Sequence, residues 1–395
     1  MSNVVPEDAD PIAKIGDLAA SAGVRRVHVL AWRDLDDVEA GGSELHIAEV
    51  AKRWAAAGLE ITMRTSWAQG QPTEAMRDGY KVIRRAGRYQ VFPRAAMAEI
   101  AGRTGPRDVL VEIWNGMPFL SPLWNLGPRV ILLHHVHADM WNMTLGPKLG
   151  PVGKLFEAKV APPLYRRSAI ATLCESSKDE LVSDLGFDPA RVTVVHPGID
   201  AHYSPAGSKS PDPLVMAVGR MAPVKRYDLL VRAAHHARKT IPDLRLHIVG
   251  DGYDRPTVQA AIEELDAGTW VTLRGSLSEA DKLELMREAW IITSASAHEG
   301  WGMTLTEAAA CGTPAVATDI AGHRDSVHHG ETGLLAAGDP ASLGGAMARV
   351  LGDGDLRARL SAGALAWAGE LTWDNTATRL MRVVADEVSR RRHPR

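Results

Sequence analysis

The chain has 395 residues, 45% apolar and 24% charged, which supplies two hydrophobic cores and excludes disorder as the dominant state. A formal net charge of −3 gives no electrostatic case for nucleic-acid binding. Its two cysteines, Cys174 and Cys311, exclude a disulfide framework and a cysteine-built zinc site and suit a reducing cytoplasm.

No apolar run reaches the roughly eighteen residues of a spanning helix. The first dozen residues carry Glu7, Asp8 and Asp10 and read as a solvated tail rather than a signal peptide. Short runs rich in Val, Ile and Leu follow at 27–31, 59–63, 109–113, 130–133, 170–173 and 192–195. They lack strict alternation, as strands buried on both faces do. Between the first two, Ile47, Val50, Ala51, Trp54 and Ala55 fall on one stripe of a helix. The stretch 81–107 holds Arg84, Arg85, Arg88, Arg94 and Arg103 and reads as a solvated face, or as a surface for an anionic acceptor or membrane. A segment dense in Pro, Gly and Ser at 196–211 is the best linker. Beyond it, strand-like runs recur at 214–218, 244–249, 271–273, 291–293 and 315–317, with the stripe Leu230, Ala233, Ala234, Ala237 as one intervening helix. The grammar is α/β: parallel sheets with helices on both faces. Four segments result: 1–24 as tail and first helix, 25–205 as one Rossmann-like domain, 206–372 as a second, and 373–395 as a helix with a basic tail, Arg390–Arg395.

Ligands of such sheets bind at the carboxyl ends of strands, where helix N-termini point amides at anions. Four loops there carry chemistry. Gly41-Gly42-Ser43-Glu44 lets backbone approach a ligand, with Ser43 as a candidate helix cap. In Gly219-Arg220 through Lys225-Arg226, a fork of donors and a point charge suit a diphosphate. The segment 296–314 is the densest; Glu299 lies in its loop and Glu307 about one turn into a helix opening near Gly302. Carboxylates accept bidentate bonds from vicinal hydroxyls, and the amides of Gly302, Met303, Thr304 and Leu305 could receive a phosphate. Last, His134, His135 and His137 crowd a strand end; with Asp139 they could chelate zinc, but one polar contact to a substrate is the better reading.

Together these residues make the sequence resemble the retaining glycosyltransferases of family 4, over about residues 25–385. The quoted elements are Glu299 and Glu307 with seven residues between them, Gly219-Arg220 with Lys225-Arg226, Gly41-Gly42, and the later loops 318–322 and 330–335. The resemblance implies the GT-B fold, two facing Rossmann-like domains with parallel sheets and a C-terminal helix, from Trp373, crossing back to the first. It implies that Glu299 holds donor-sugar hydroxyls, Glu307 the ribose, Arg220 and Lys225 the diphosphate, and Arg274, Gly275 and Leu277 the base. Gly42 would approach the donor phosphate and His134 the donor sugar.

The expected reaction moves a hexose from a UDP- or GDP-sugar to an acceptor hydroxyl with retention, by a front-face route. No obligate cofactor or metal is expected, although Asp34-Leu35-Asp36 has the form of a metal-binding Asp-X-Asp. Expected partners are the nucleotide-sugar donor and a sugar, lipid-linked or small-molecule acceptor, without nucleic acid. The expected location is the cytoplasm, including the inner face of the membrane through peripheral contact. Three rivals remain: a nucleotide-sugar epimerase of the same fold, a non-catalytic binding protein, and a dinucleotide-dependent oxidoreductase, at which Val249-Gly250-Asp251-Gly252 hints.

Overall fold

The computed structural model describes residues 10–137 and 140–392, without the side chains of 140, 142–145 and 147. The chain divides into two units: everything up to Gly198 together with the segment from Trp373 onward, and Ile199–Thr372.

The first unit is built on β1 (Arg26–Leu30), β2 (Glu60–Thr65), β3 (Glu74–Arg77), β4 (Tyr80–Arg84), β5 (Val109–Asn115), β6 (Arg129–His135), β7 (Ala169–Thr172) and β8 (Val192–Val194). Their order is β3-β4-β2-β1-β5-β6-β7-β8, parallel except where β3 runs antiparallel to β4. All six apolar runs of this half are strands. Strand β4 falls almost wholly inside the stretch 81–107 that reads as a basic surface in sequence, and β3 gives no strand signal because only Ala75 and Met76 are apolar in it. The turn between them carries Asp78 at φ 45° and Gly79 at φ 85°. An Asp-Gly pair is a strong hairpin signal because both central residues of such a turn take positive φ.

The core here is Val27, Val29, Val109 and Val111, covered by helix Gly42–Ala56 through Ile47, Val50 and Trp54. The helix Trp373–Arg392 adds Leu380, Met381 and Val384 to the same core, and Trp54 donates its indole N–H to the Ala377 carbonyl at 3.0 Å. The last helix therefore belongs to the first unit. Its final turn is Arg390-Arg391-Arg392, so the expected tail is helical this far; 393–395 lie outside the described residues.

The second unit holds β9 (Leu214–Val218), β10 (Arg245–Val249), β11 (Val271–Gly275), β12 (Ile291–Ser294), β13 (Ala315–Thr318) and β14 (Gly333–Ala336), all parallel, in the order β11-β10-β9-β12-β13-β14. Helix Tyr227–Ala237 buries Leu230, Ala233, Ala234 and Ala237, the stripe its spacing predicts. Each sheet reverses its strand order once, between β1 and β5 and between β9 and β12. A parallel sheet opens a crevice at such a point, and polar loops gather there.

Candidate active site

At the reversal of the second sheet, the loops after β9 and β12 are stitched together. The Ala297 N–H donates to the Val224 carbonyl at 2.8 Å and Arg226 Nε to the Ala295 carbonyl at 2.9 Å. This brings Lys225 onto Glu299 in a direct ion pair, and the Ser296 hydroxyl donates to the same carboxylate oxygen at 2.7 Å. Burial pushes the Glu299 carboxyl up, but the Lys225 ammonium and the Ser296 hydroxyl outweigh it and hold the group below the ordinary carboxylate range. Glu299 is thus a fixed anion with open lone pairs. Arg220 stands exposed at the end of β9, and Arg274 is exposed at the end of β11.

The loops after β9 and β10 touch backbone to backbone. A Cβ on Gly250 would lie 2.1 Å from the Gly219 carbonyl oxygen, and one on Gly252 2.2 Å from that of Met221. These glycines serve loop packing, which answers the oxidoreductase hint; Gly275 joins them by accepting from the Gly250 N–H at 2.8 Å. Gly302, at φ 110°, caps helix Met303–Ala310. Its carbonyl already accepts from the Leu305 N–H at 2.9 Å. The helix-start amides left to meet an anion are therefore those of Met303 and Thr304, not Leu305.

Glu307 sits one turn into that helix and is 7% exposed, with Oε2 accepting no hydrogen bond from the described residues and Lys282 Nζ at 3.8 Å. Burial pushes its carboxyl up against the pull of Lys282. Tyr203, whose hydroxyl donates to Glu279 at 3.1 Å, packs beneath Lys282. Sequence reading placed Ser296 in the dense segment without a role and missed Tyr203, Lys282 and His323, which the fold brings in from outside that segment. His323 alone had a signal, its place directly after the quoted loop 318–322.

In the first unit, Gly41 is the N-cap and Gly42 the first residue of its helix. The cap is closed by Glu44, which accepts from the Gly41 N–H at 2.9 Å, and not by Ser43, whose hydroxyl bonds Glu44 and accepts from Asn115 Nδ2 at 3.0 Å. His134 is 4% exposed and His46 1%; neither imidazole has a hydrogen-bond partner among the described residues, and the rings meet edge-on at 5.3 Å. His135 stacks instead on His137 at 4.6 Å. No metal-binding cluster occurs among the described residues, and Asp139 lies outside them. Asp34 accepts from Arg77 at 2.7 Å and lies 3.2 Å from Arg84 Nε; Asp36 takes the same two arginines at 2.6 and 2.9 Å. The Asp-X-Asp carboxylates are neutralised by arginine. Arg85 and Arg88 likewise pair with Glu74 and Glu39, so much of the basic stretch is spent internally.

Comparison with known proteins fits this geometry. The family model for glycosyl transferases group 1 matches residues 200–367, and that for glycosyltransferase family 4 matches 40–203. The chain belongs to glycosyltransferase family 4. A D-inositol 3-phosphate glycosyltransferase of Thermobispora bispora is 29% identical over 89% of this chain and 91% of its own. One from Thermomonospora curvata is 29% identical over 94% and 95%. Among solved structures, a sucrose-phosphate synthase from Thermosynechococcus elongatus superposes with a TM-score of 0.76 at 19% identity, over 90% of this chain and 97% of that one. Anabaena HepE, in complex with UDP and glucose, gives 0.70 at 17%, over 90% and 98%. The fold is GT-B, and the enzyme is a glycosyltransferase acting on a nucleotide sugar.

Within this family-4 enzyme, Trp301 is 2% exposed, so it is a core side chain rather than a platform for a sugar. Trp114 and Trp141 are buried as well. Gly322 is the tightest support of the glutamate loop, since a Cβ there would stand 2.3 Å from the Glu299 carbonyl oxygen. Gly322→Ala is expected to displace Glu299, costing about 1–3 kcal/mol of stability as overpacking does and weakening nucleotide-sugar binding tenfold or more. Calorimetric titration beside a thermal melt checks this; unaltered affinity would refute the placement.

Proposed function

We propose that the protein is a retaining hexosyltransferase that uses a UDP- or GDP-sugar. The observation that carries this reading is the Glu299–Lys225 pair beside the open amides of Met303 and Thr304, an anion and a cation set for sugar hydroxyls and diphosphate respectively. Glu299 accepts from donor-sugar hydroxyls and Glu307 from the ribose diol. Lys225 and Arg220 stabilise the diphosphate as it leaves. Gly219, Arg274, Gly275 and Leu277 border the nucleoside, Gly42 the donor phosphate, and His134 the sugar.

The reaction breaks the bond from the anomeric carbon to the diphosphate oxygen and forms one to the acceptor oxygen on the same face. A double-displacement route needs a free carboxylate under the sugar, and Glu299 is already held by Lys225 and Ser296. The leaving phosphate oxygen therefore takes the acceptor's proton. The arginine-bound Asp34 and Asp36 support a route without an obligate metal. The name shared by the relatives makes D-inositol 3-phosphate the first acceptor to assay.

Melting the protein with a panel of nucleotides tests the donor. A ligand at about 100 times its Kd adds roughly 2.7 kcal/mol, a shift of several degrees with a UDP or GDP compound. The proton coupling at the product's anomeric centre then reads retention. A shift with NAD alone, or an inverted product, would overturn the proposal.

A further inference from the structure

At the opposite end of the first sheet, the residues just before β5, β6 and β7 and the last turn of helix Trp373–Arg392 enclose a cleft of about 620 Å³. Arg107, Arg167, Arg390, Arg391 and Arg392 line it. The carboxylates facing them are few. Asp108 is bound by Arg26 at 2.9 Å, Glu99 is shared by Arg107 and His28, and Glu387 alone serves both Arg390 and Arg391 at 2.7–2.8 Å. Arg392 donates to the Ala22 carbonyl at 2.6 Å, and the exposed Arg167 guanidinium has no carboxylate partner among the described residues. Behind the cleft, the buried Arg129 guanidinium is pushed down chiefly by burial, with Arg391 adding to the shift and Glu387 opposing it. Helix-end arginines commonly answer the carbonyl dipole, but Arg107 and Arg167 come from loops and have no such reason to converge here. Leu126, 90% exposed, stands on the rim.

We propose that this arginine cleft is a second anion site that binds an anionic phosphate group, at the sheet end away from Gly42 and His134. Forked guanidinium donors suit phosphate oxygens, and the volume lies in the range of small-ligand sites. The group can come from a free phosphorylated metabolite or from a lipid headgroup at a membrane surface.

The test uses Arg167→Glu, with Arg166→Glu, an exposed neighbour outside the cleft, as control. Inorganic pyrophosphate is titrated while hydrogen exchange is followed at 124–128 and 387–392, which separates this cleft from the donor site. Phosphatidylglycerol and phosphatidylcholine vesicles are co-sedimented in parallel at physiological salt. Protection of those segments by pyrophosphate, weakened tenfold or more by Arg167→Glu and not by Arg166→Glu, supports a free phosphate. Binding to phosphatidylglycerol alone, lost in the same variant only, supports a headgroup. Absence of both effects, or equal loss in the two variants, overturns the site.

Discussion

Glu299→Gln is expected to lower kcat/KM for sugar transfer by about 10²–10³-fold, the size of effect seen when one preorganised polar contact to a reacting group is removed. The amide keeps the shape of the side chain but turns one of its two accepting oxygens into a donor, so two neighbouring sugar hydroxyls can no longer each donate to an oxygen of their own. Because the ionised form is favoured in the fold, the variant also leaves Lys225 without its counter-ion. Lys225 is partly open to water, which limits the stability cost to about 1–2 kcal/mol. The separation of the two numbers is the point: a merely structural ion pair would lose stability and keep its rate. Lys225→Met should lower turnover as well, through the leaving diphosphate. In the double variant the losses should fall short of their sum, because the two groups share one partner network. Steady-state kinetics with denaturation curves on the three variants decide it. A Glu299→Gln rate within about threefold of wild type would remove this residue from the chemistry.

What could be read in advance followed the strength of each local signal. β9 spans the residues its apolar run predicts, since a strand buried on both faces has nothing but apolar side chains to place. β3 was invisible because it is an edge strand that buries little, and only Asp78-Gly79 announced its turn. β14 was hidden differently: Gly333-Leu334-Leu335-Ala336 is too short for periodicity to separate from the loop before it. Among the site residues, Arg220 and Glu299 stood out because their charges sit after strand ends beside Gly219 and Gly300, and Lys225 and Glu307 by their spacing from those two. Nothing near Tyr203 or Lys282 in the chain points toward Glu307, and only the packing of the second unit joins them. The same limit applied to Asp34 and Asp36, whose meaning depends on Arg77 and Arg84, about forty residues further on.

The largest expected response to pH lies in the first unit. Burial pushes His134 down to about 4 and His46 well below its ordinary value, so both rings are neutral in the folded protein near pH 7. In the unfolded chain each takes up a proton near pH 6.5. The unfolded state then binds protons that the folded state refuses, so stability falls as the pH is lowered. For His134 the contribution is complete above about pH 6.5 and is lost as pH falls toward 4, a total of ~3 kcal/mol, of which ~2 kcal/mol goes between pH 7 and 5; His46 acts in the same direction. Urea unfolding of wild type and His134→Asn at pH 7 and 5 isolates the term, since every other titrating group is common to both. Wild type should lose about 2 kcal/mol more than the variant over that interval. Equal losses would mean that the imidazole protonates inside the fold. The burial from which acid lability is expected is also what fits His134 to the role proposed for it. A neutral ring with both nitrogens unpartnered can accept a hydrogen bond from a sugar hydroxyl, and a protonated one cannot. His134→Asn should therefore relieve part of the acid sensitivity while weakening donor binding, a pairing that a simple core histidine would not produce.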